Sequence, residues 1–67
     1  MYTLTISRYG RYLTFNTLEE LREELESYFS AKEKNIVETL LDFSKTPVKD
    51  GYKTNRYQDF TVCCYDC

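Results

Sequence analysis

The stretch from Thr17 to Phe43 limits the fold most. Leu18, Leu21, Leu25, Tyr28 and Phe29 recur at helical spacing, and Ile36, Val37, Leu40 and Leu41 do so again. No large apolar residue falls between Ser30 and Asn35. One unbroken helix over 17–43 would run about 40 Å at about 1.5 Å per residue, longer than strands of about five to eight residues can cover. Two helices with a break near Ser30 to Lys34 are therefore predicted. Each has a start signal. Thr17-Leu18-Glu19-Glu20 and Ser30-Ala31-Lys32-Glu33 both read as capping boxes, a hydroxyl taking an early helix N–H and a glutamate reaching back.

Strands flank this helical middle. From Tyr2 to Phe15, Leu4, Ile6, Leu13 and Phe15 alternate with Thr3, Thr5, Ser7 and Thr14, and Gly10 interrupts the run. A two-residue turn at Tyr9–Gly10 would pair Arg8 with Arg11, Ile6 with Leu13 and Leu4 with Phe15, placing all four apolar residues on one face. Tyr9 is not a preferred turn residue, so a longer loop stays open. SKTPVKDGYKTN holds the single proline and Asp50-Gly51 and reads as a loop. Arg56 to Tyr65 reads as one strand, with Phe60, Val62 and Cys64 on one face and Asp59, Thr61, Cys63 and Tyr65 on the other. The order is β-β-α-α-β. The expected fold class is α+β: a three-stranded antiparallel sheet with two helices on one face, a two-layer single domain over residues 1–67.

A chain of 67 residues hides only about 60% of the surface its unfolded form exposes, so its core is marginal. Hydrophobic residues at 42% against a net charge of −2 exclude a disordered composition. No apolar run approaches the roughly 18 residues of a membrane span, and MYTLTISRYG lacks the order of a signal peptide. A soluble, cytoplasmic chain is expected. Charge is unevenly spread: residues 18–42 hold eight acids against three bases, net −5, and the remainder six bases against three acids, net +3. Such a molecule steers one face toward a basic partner and suits general nucleic-acid binding poorly.

Three candidate sites follow. The chain ends with Cys63, Cys64 and Cys67, of which Cys64 and Cys67 form one C-x-x-C pair. A structural zinc site takes four ligands, and with no histidine a monomer would need Asp66 or the terminal carboxylate as the fourth. A redox pair needs a helix N-terminus behind its first thiol, and this pair follows a strand. A prenylation signal is badly matched by Tyr65, Asp66 and Cys67. The favoured reading packs Cys64 in the core and leaves Cys63 and Cys67 as surface thiols.

The second candidate is the first helix. Glu19, Glu20, Glu23, Glu24 and Glu26 surround the single base Arg22. Either they form a solvated face, or they present carboxylates to arginines built to grip phosphate. The third is the hairpin tip, where Arg8-Tyr9-Gly10-Arg11-Tyr12 interleaves cations and aromatics. Tyrosine and arginine anchor many interfaces and also stack on bases; the bland alternative is a capped turn. Catalysis finds no histidine, no glycine-rich phosphate loop and no nucleophile motif, so neither an enzyme nor a cofactor is expected.

In size, net acidity and β-β-α-α-β order, the whole chain resembles the small inhibitors encoded by phages and mobile elements, anti-CRISPR proteins among them. The resemblance is one of architecture. It implies a viral protein working in the host cytoplasm, which docks on a larger host protein such as a nuclease complex and inhibits it. Glu19, Glu20, Glu23, Glu24 and Glu26 would then mimic phosphates, with Tyr9, Arg11 and Tyr12 as anchors. Two other readings stand beside it. One is a small nucleic-acid-binding domain using the Arg/Tyr hairpin with Lys45, Lys49, Lys53 and Arg56. The other is a homodimer joined through the cysteine tail by metal or disulfide.

Overall fold

A computed structural model of the chain describes residues 1–65. Four strands and two helices run in the order β1 (Tyr2–Ile6), β2 (Arg11–Phe15), α1 (Leu18–Glu26), α2 (Lys34–Leu41), β3 (Tyr52–Tyr57) and β4 (Phe60–Tyr65). The strands form one antiparallel sheet in the order β2-β1-β4-β3. α1 lies over β1 and β2, and α2 over β3. The α+β class, the two helices and their packing on one face agree with the sequence. The sheet has four strands rather than three.

Both helix starts form as their sequences dictate. The Glu20 amide donates to Thr17 Oγ1 at 3.2 Å, and the Thr17 hydroxyl donates to the Glu20 carboxylate at 3.1 Å. At the second start, the Ser30 amide donates to Glu33 Oε1 at 3.0 Å, and a 3-10 turn over Ala31–Glu33 leads into α2. Leu21, Leu25, Val37, Leu40 and Leu41 face the sheet and are buried with Leu4, Ile6, Phe60 and Val62. Tyr28 and Phe29 lie beyond the end of α1, yet both rings close over Phe60, with centroids at 5.8 and 4.7 Å. No helix among the described residues is long and apolar enough to cross a membrane.

Two differences in the strands have physical causes. The first hairpin pairs Tyr2 with Phe15, Leu4 with Leu13 and Ile6 with Arg11, so the loop is Ser7 to Gly10 rather than two residues. Its register is two residues from the expected one, and a period-two pattern cannot register a slip of two because every side chain keeps its face. Gly10 ends a 3-10 turn at φ 61° with its amide on Ser7 O, a left-handed position that suits glycine. The expected strand over 56–65 is two strands joined at Gln58–Asp59, with Gln58 at φ 51°. The segment read as a loop contributes β3. Asp50 and Gly51, at φ 54° and 86°, turn the chain so that Lys49 and Tyr52 exchange two backbone hydrogen bonds of 2.8 and 3.1 Å.

β3 escapes the sequence pattern because its inward side chains are Lys53, Asn55 and Tyr57 instead of aliphatic residues. They terminate α2. Asn55 Nδ2 donates to Leu40 O (2.9 Å) and Asp42 O (3.2 Å), its Oδ1 accepts from the Thr46 hydroxyl (2.6 Å), and Lys53 Nζ donates to Phe43 O (3.0 Å). The Leu40 and Asp42 carbonyls are ones that a helix end leaves without intrahelical donors, and Phe43 O, just beyond it, also accepts from the Thr46 amide at 3.2 Å.

Among the described residues, no helix covers the other face of the sheet. Across the strands it shows one row of Thr14, Thr3, Cys63 and Thr54 and a second of Tyr12, Thr5, Thr61 and Arg56, with Tyr65 beside Tyr52 at one end. Those two rings lie 5.4 Å apart.

Replacing Asn55 by alanine leaves the Leu40 carbonyl without its donor in a partly buried setting. A loss of about 2 kcal/mol is expected, the ordinary cost of an orphaned polar group. A lowered urea midpoint with an unchanged slope checks it, and an unchanged midpoint removes Asn55 as the clamp on α2.

Candidate partner-binding surface

The five glutamates of α1 divide by employment. Glu20 closes the N-terminal cap, and Glu24 accepts from the Tyr28 hydroxyl at 3.0 Å. Glu19, Glu23 and Glu26 are exposed and lie four and three residues apart, which puts them on one stripe about 10 Å long, opposite Leu21 and Leu25. Arg22 flanks the stripe. Its guanidinium is hydrogen-bonded to Glu38 of α2, and that bond, with Glu26 and Glu19 nearby, raises its already high pKa against the opposing effect of partial burial. The same bond holds Glu38 below the usual carboxylate range. Arg22 is thus committed to α2, and the stripe keeps its negative charge.

The hairpin residues named by the sequence separate. Arg11 lies on the helix side of the sheet and donates to the Tyr28 hydroxyl at 2.6 Å, so Tyr28 links Arg11 to Glu24. The Arg11 guanidinium also sits 5.9 Å from the Tyr28 ring centre, and Tyr9 stacks on the same ring at 6.3 Å. Partial burial, then donation to Glu24, holds the Tyr28 hydroxyl above its ordinary pKa against the pull of Arg11. Arg8 pairs with Asp59 at 3.0 Å, tying the hairpin tip to the β3–β4 turn. Tyr9 remains 57% exposed at this junction. Tyr12, 63% exposed, belongs to the opposite face. Tyr9, Arg11 and Glu24 therefore gather at one end of α1, while Tyr12 does not join them. The sequence places Tyr28, which completes the group, in the apolar stripe; its hydroxyl at i+4 from Glu24 is the signal for its second role.

The cations of the nucleic-acid reading are dispersed. Lys53 points to the helix side and is bonded to Phe43 O, Arg56 points to the open face with Nε on Gln58 O at 3.3 Å, and Arg8 and Arg11 have the partners given above. Lys45 and Lys49 are exposed on the loop before β3. No single basic track forms from these six residues.

The cysteines diverge as well. Cys64 is buried on the inward face with Val62, as the sequence indicates. Cys63 is half-buried on the open face, its sulfur 3.5 Å from the Thr54 hydroxyl. Adjacent strand residues face opposite ways, so this pair does not converge on one ion within a protomer. Cys67 and Asp66 lie outside the described residues. Among those that are described, no group of three histidine, cysteine or acidic side chains converges to hold a metal.

On the open face, Tyr65 interacts with Thr3, which is only 2% exposed, and with Cys63 and Tyr12. The Thr3 hydrogen bond lowers the pKa of Tyr65, but partial burial and the Cys63 and Tyr12 groups outweigh it and leave it raised.

Compared with known proteins, the chain matches no family model, no curated protein and no solved structure.

A raised tyrosine pKa favours the folded state below the unfolded value of 10.0, and that stability is lost as pH climbs through the folded value. Unfolding free energy should therefore fall above about pH 10, and less steeply in Tyr28→Phe than in the wild type. Tyr65 contributes its own decline to both proteins. Identical alkaline limbs in urea titrations would remove the Arg11–Tyr28–Glu24 link.

Proposed function

We propose that this chain is a small binding module that sets the outward stripe of α1 against a basic surface of a larger protein and blocks it. One observation carries the reading. The fold employs Glu20 and Glu24, whereas Glu19, Glu23 and Glu26 stand together on the exposed side, and their neighbouring cation Arg22 is bonded to Glu38. Like charges three and four residues apart cost a helix a few tenths of a kcal/mol per pair, and Arg22, shared with Glu38, offsets only part of that cost. A basic groove on another molecule would. Tyr9 and Arg11, at the C-terminal end of α1, supply an aromatic and a cationic contact beside the stripe.

The partner class that suits this stripe is a protein whose groove binds nucleic-acid phosphates, and the architectural resemblance to anti-CRISPR inhibitors points to a nuclease such as a CRISPR effector. Occupying that groove with carboxylates excludes the nucleic acid. In this reading the product is contact, and neither catalysis nor a cofactor is required. The open sheet face and dispersed cations give the nucleic-acid alternative less support.

The test separates employed from unemployed glutamates. Immobilised wild-type chain should capture a protein from nuclease-treated host lysate, and that protein should lose nucleic-acid binding in the complex. Glu19→Lys, Glu23→Lys and Glu26→Lys combined should weaken capture at least a hundredfold, at about 1.4 kcal/mol per tenfold, while preserving the fold. Glu20→Gln should keep capture and lose stability through the cap. Undiminished capture by the triple variant overturns the proposal.

A further inference from the structure

The open face of the sheet is unusual in charge. Of its ten outward strand positions only Arg56 is charged, although 30% of the chain's residues are. A solvated face drawn from this composition would carry about three charges, as the helix layer shows on a larger scale. The acids of residues 18–42 all lie in that helix layer or at its end, on the other side of the sheet. A face depleted of charge and furnished with tyrosines is what a buried protein contact requires. Nucleic acid is a poor fit, because one guanidinium neutralises too few phosphates. A bilayer is also a poor fit, because threonine hydroxyls replace the apolar anchors that insertion needs.

We infer that the occupant of this face is a second copy of the chain, packed sheet to sheet about a two-fold axis that runs parallel to the strands between β1 and β4. Two observations select that partner. The first is electrostatic. This arrangement keeps both acidic helix layers outward, with two sheets about 10 Å apart and a helix layer of about 10 Å on each side between them. Their separation then exceeds the Debye length of about 8 Å several-fold, whereas contact through the helix layers would press like charges together.

The second is positional. In the row Tyr12, Thr5, Thr61, Arg56, this axis exchanges the two ends and the two middles. Arg56 of each copy meets Tyr12 of the other, and Thr5 meets Thr61. The one charge on the face thereby falls on its most exposed aromatic ring, twice, as a cation–π pair. The sheets pack at the usual shallow angle set by their twist.

Size sets the strength. Four strands about 4.8 Å apart and about 17 Å long give a footprint of roughly 300 Å² per copy, well below the about 800 Å² per partner of a standard interface. The dimer is therefore weak and populated only at high protein concentration. It depends on neither the cysteine tail nor the docking stripe.

Sedimentation equilibrium of the full chain under reductant tests this between 10 μM and 1 mM. The mass should rise from 8.0 kDa toward twice that value. Thr61→Lys, at the centre of the face, should weaken association at least tenfold. Tyr12→Lys, which sets a cation against Arg56 at an exposed position, should do the same, and Glu23→Gln should not. A wild-type mass of 8.0 kDa throughout, or association equally strong in both lysine variants with folding confirmed by circular dichroism, overturns the inference.

Discussion

The pairing of β1 with β4 is the interaction on which the rest of the structure depends. It joins Tyr2–Ile6 to Phe60–Tyr65, near the two ends of the chain, and places Leu4 and Ile6 beside Val62 and Phe60 at the bottom of the core. β2 and β3 flank it, α1 packs over β1, α2 packs on α1 and β3 beside it, and the hairpin tip is fastened to the β4 end through Arg8 and Asp59. Pairing strands so far apart in sequence closes most of the chain into one loop, an entropy cost that the buried contacts of the core must offset.

One layer of helices on one face of that sheet sorts the surface. Charges accumulate on the helices, where glutamates crowd the first turns of α1 and cap its start. The uncovered face is left with hydroxyls and tyrosines. The result is a molecule of two unlike sides. An acidic stripe of three unemployed carboxylates stands on one, and a nearly uncharged sheet stands on the other. Neither side needs a cavity, and the functional readings rest on surfaces accordingly.

The sequence made the helical half legible because the cues there are local. Thr17 with Glu20 and Ser30 with Glu33 mark both starts, and the gap at 30–35 marks the break. The strands were less legible where their side chains serve distant partners. Lys53 and Asn55 occupy inward positions because they hold the end of α2, and their polarity disguises β3 as loop. The Asp50–Gly51 turn, which leads into Tyr52, is the local cue for where β3 begins. The first hairpin kept its faces through a register shift of two, which alternation cannot detect. For the site, spacing alone showed five glutamates around Arg22. Only the contacts of Thr17, Tyr28 and Glu38 reveal which of them the fold uses, and only the sheet register shows Tyr12 parting from Tyr9 and Arg11.

The most direct test of the two-sided account is a 1H–15N correlation titration of the labelled chain at 10 μM with an arginine-rich peptide in 150 mM salt. The account predicts saturable shifts along α1, centred on Glu19, Glu23 and Glu26, while Thr5, Thr14 and Thr61 stay in place. Shifts centred on the open sheet face, or spread evenly over all acidic residues, would contradict it.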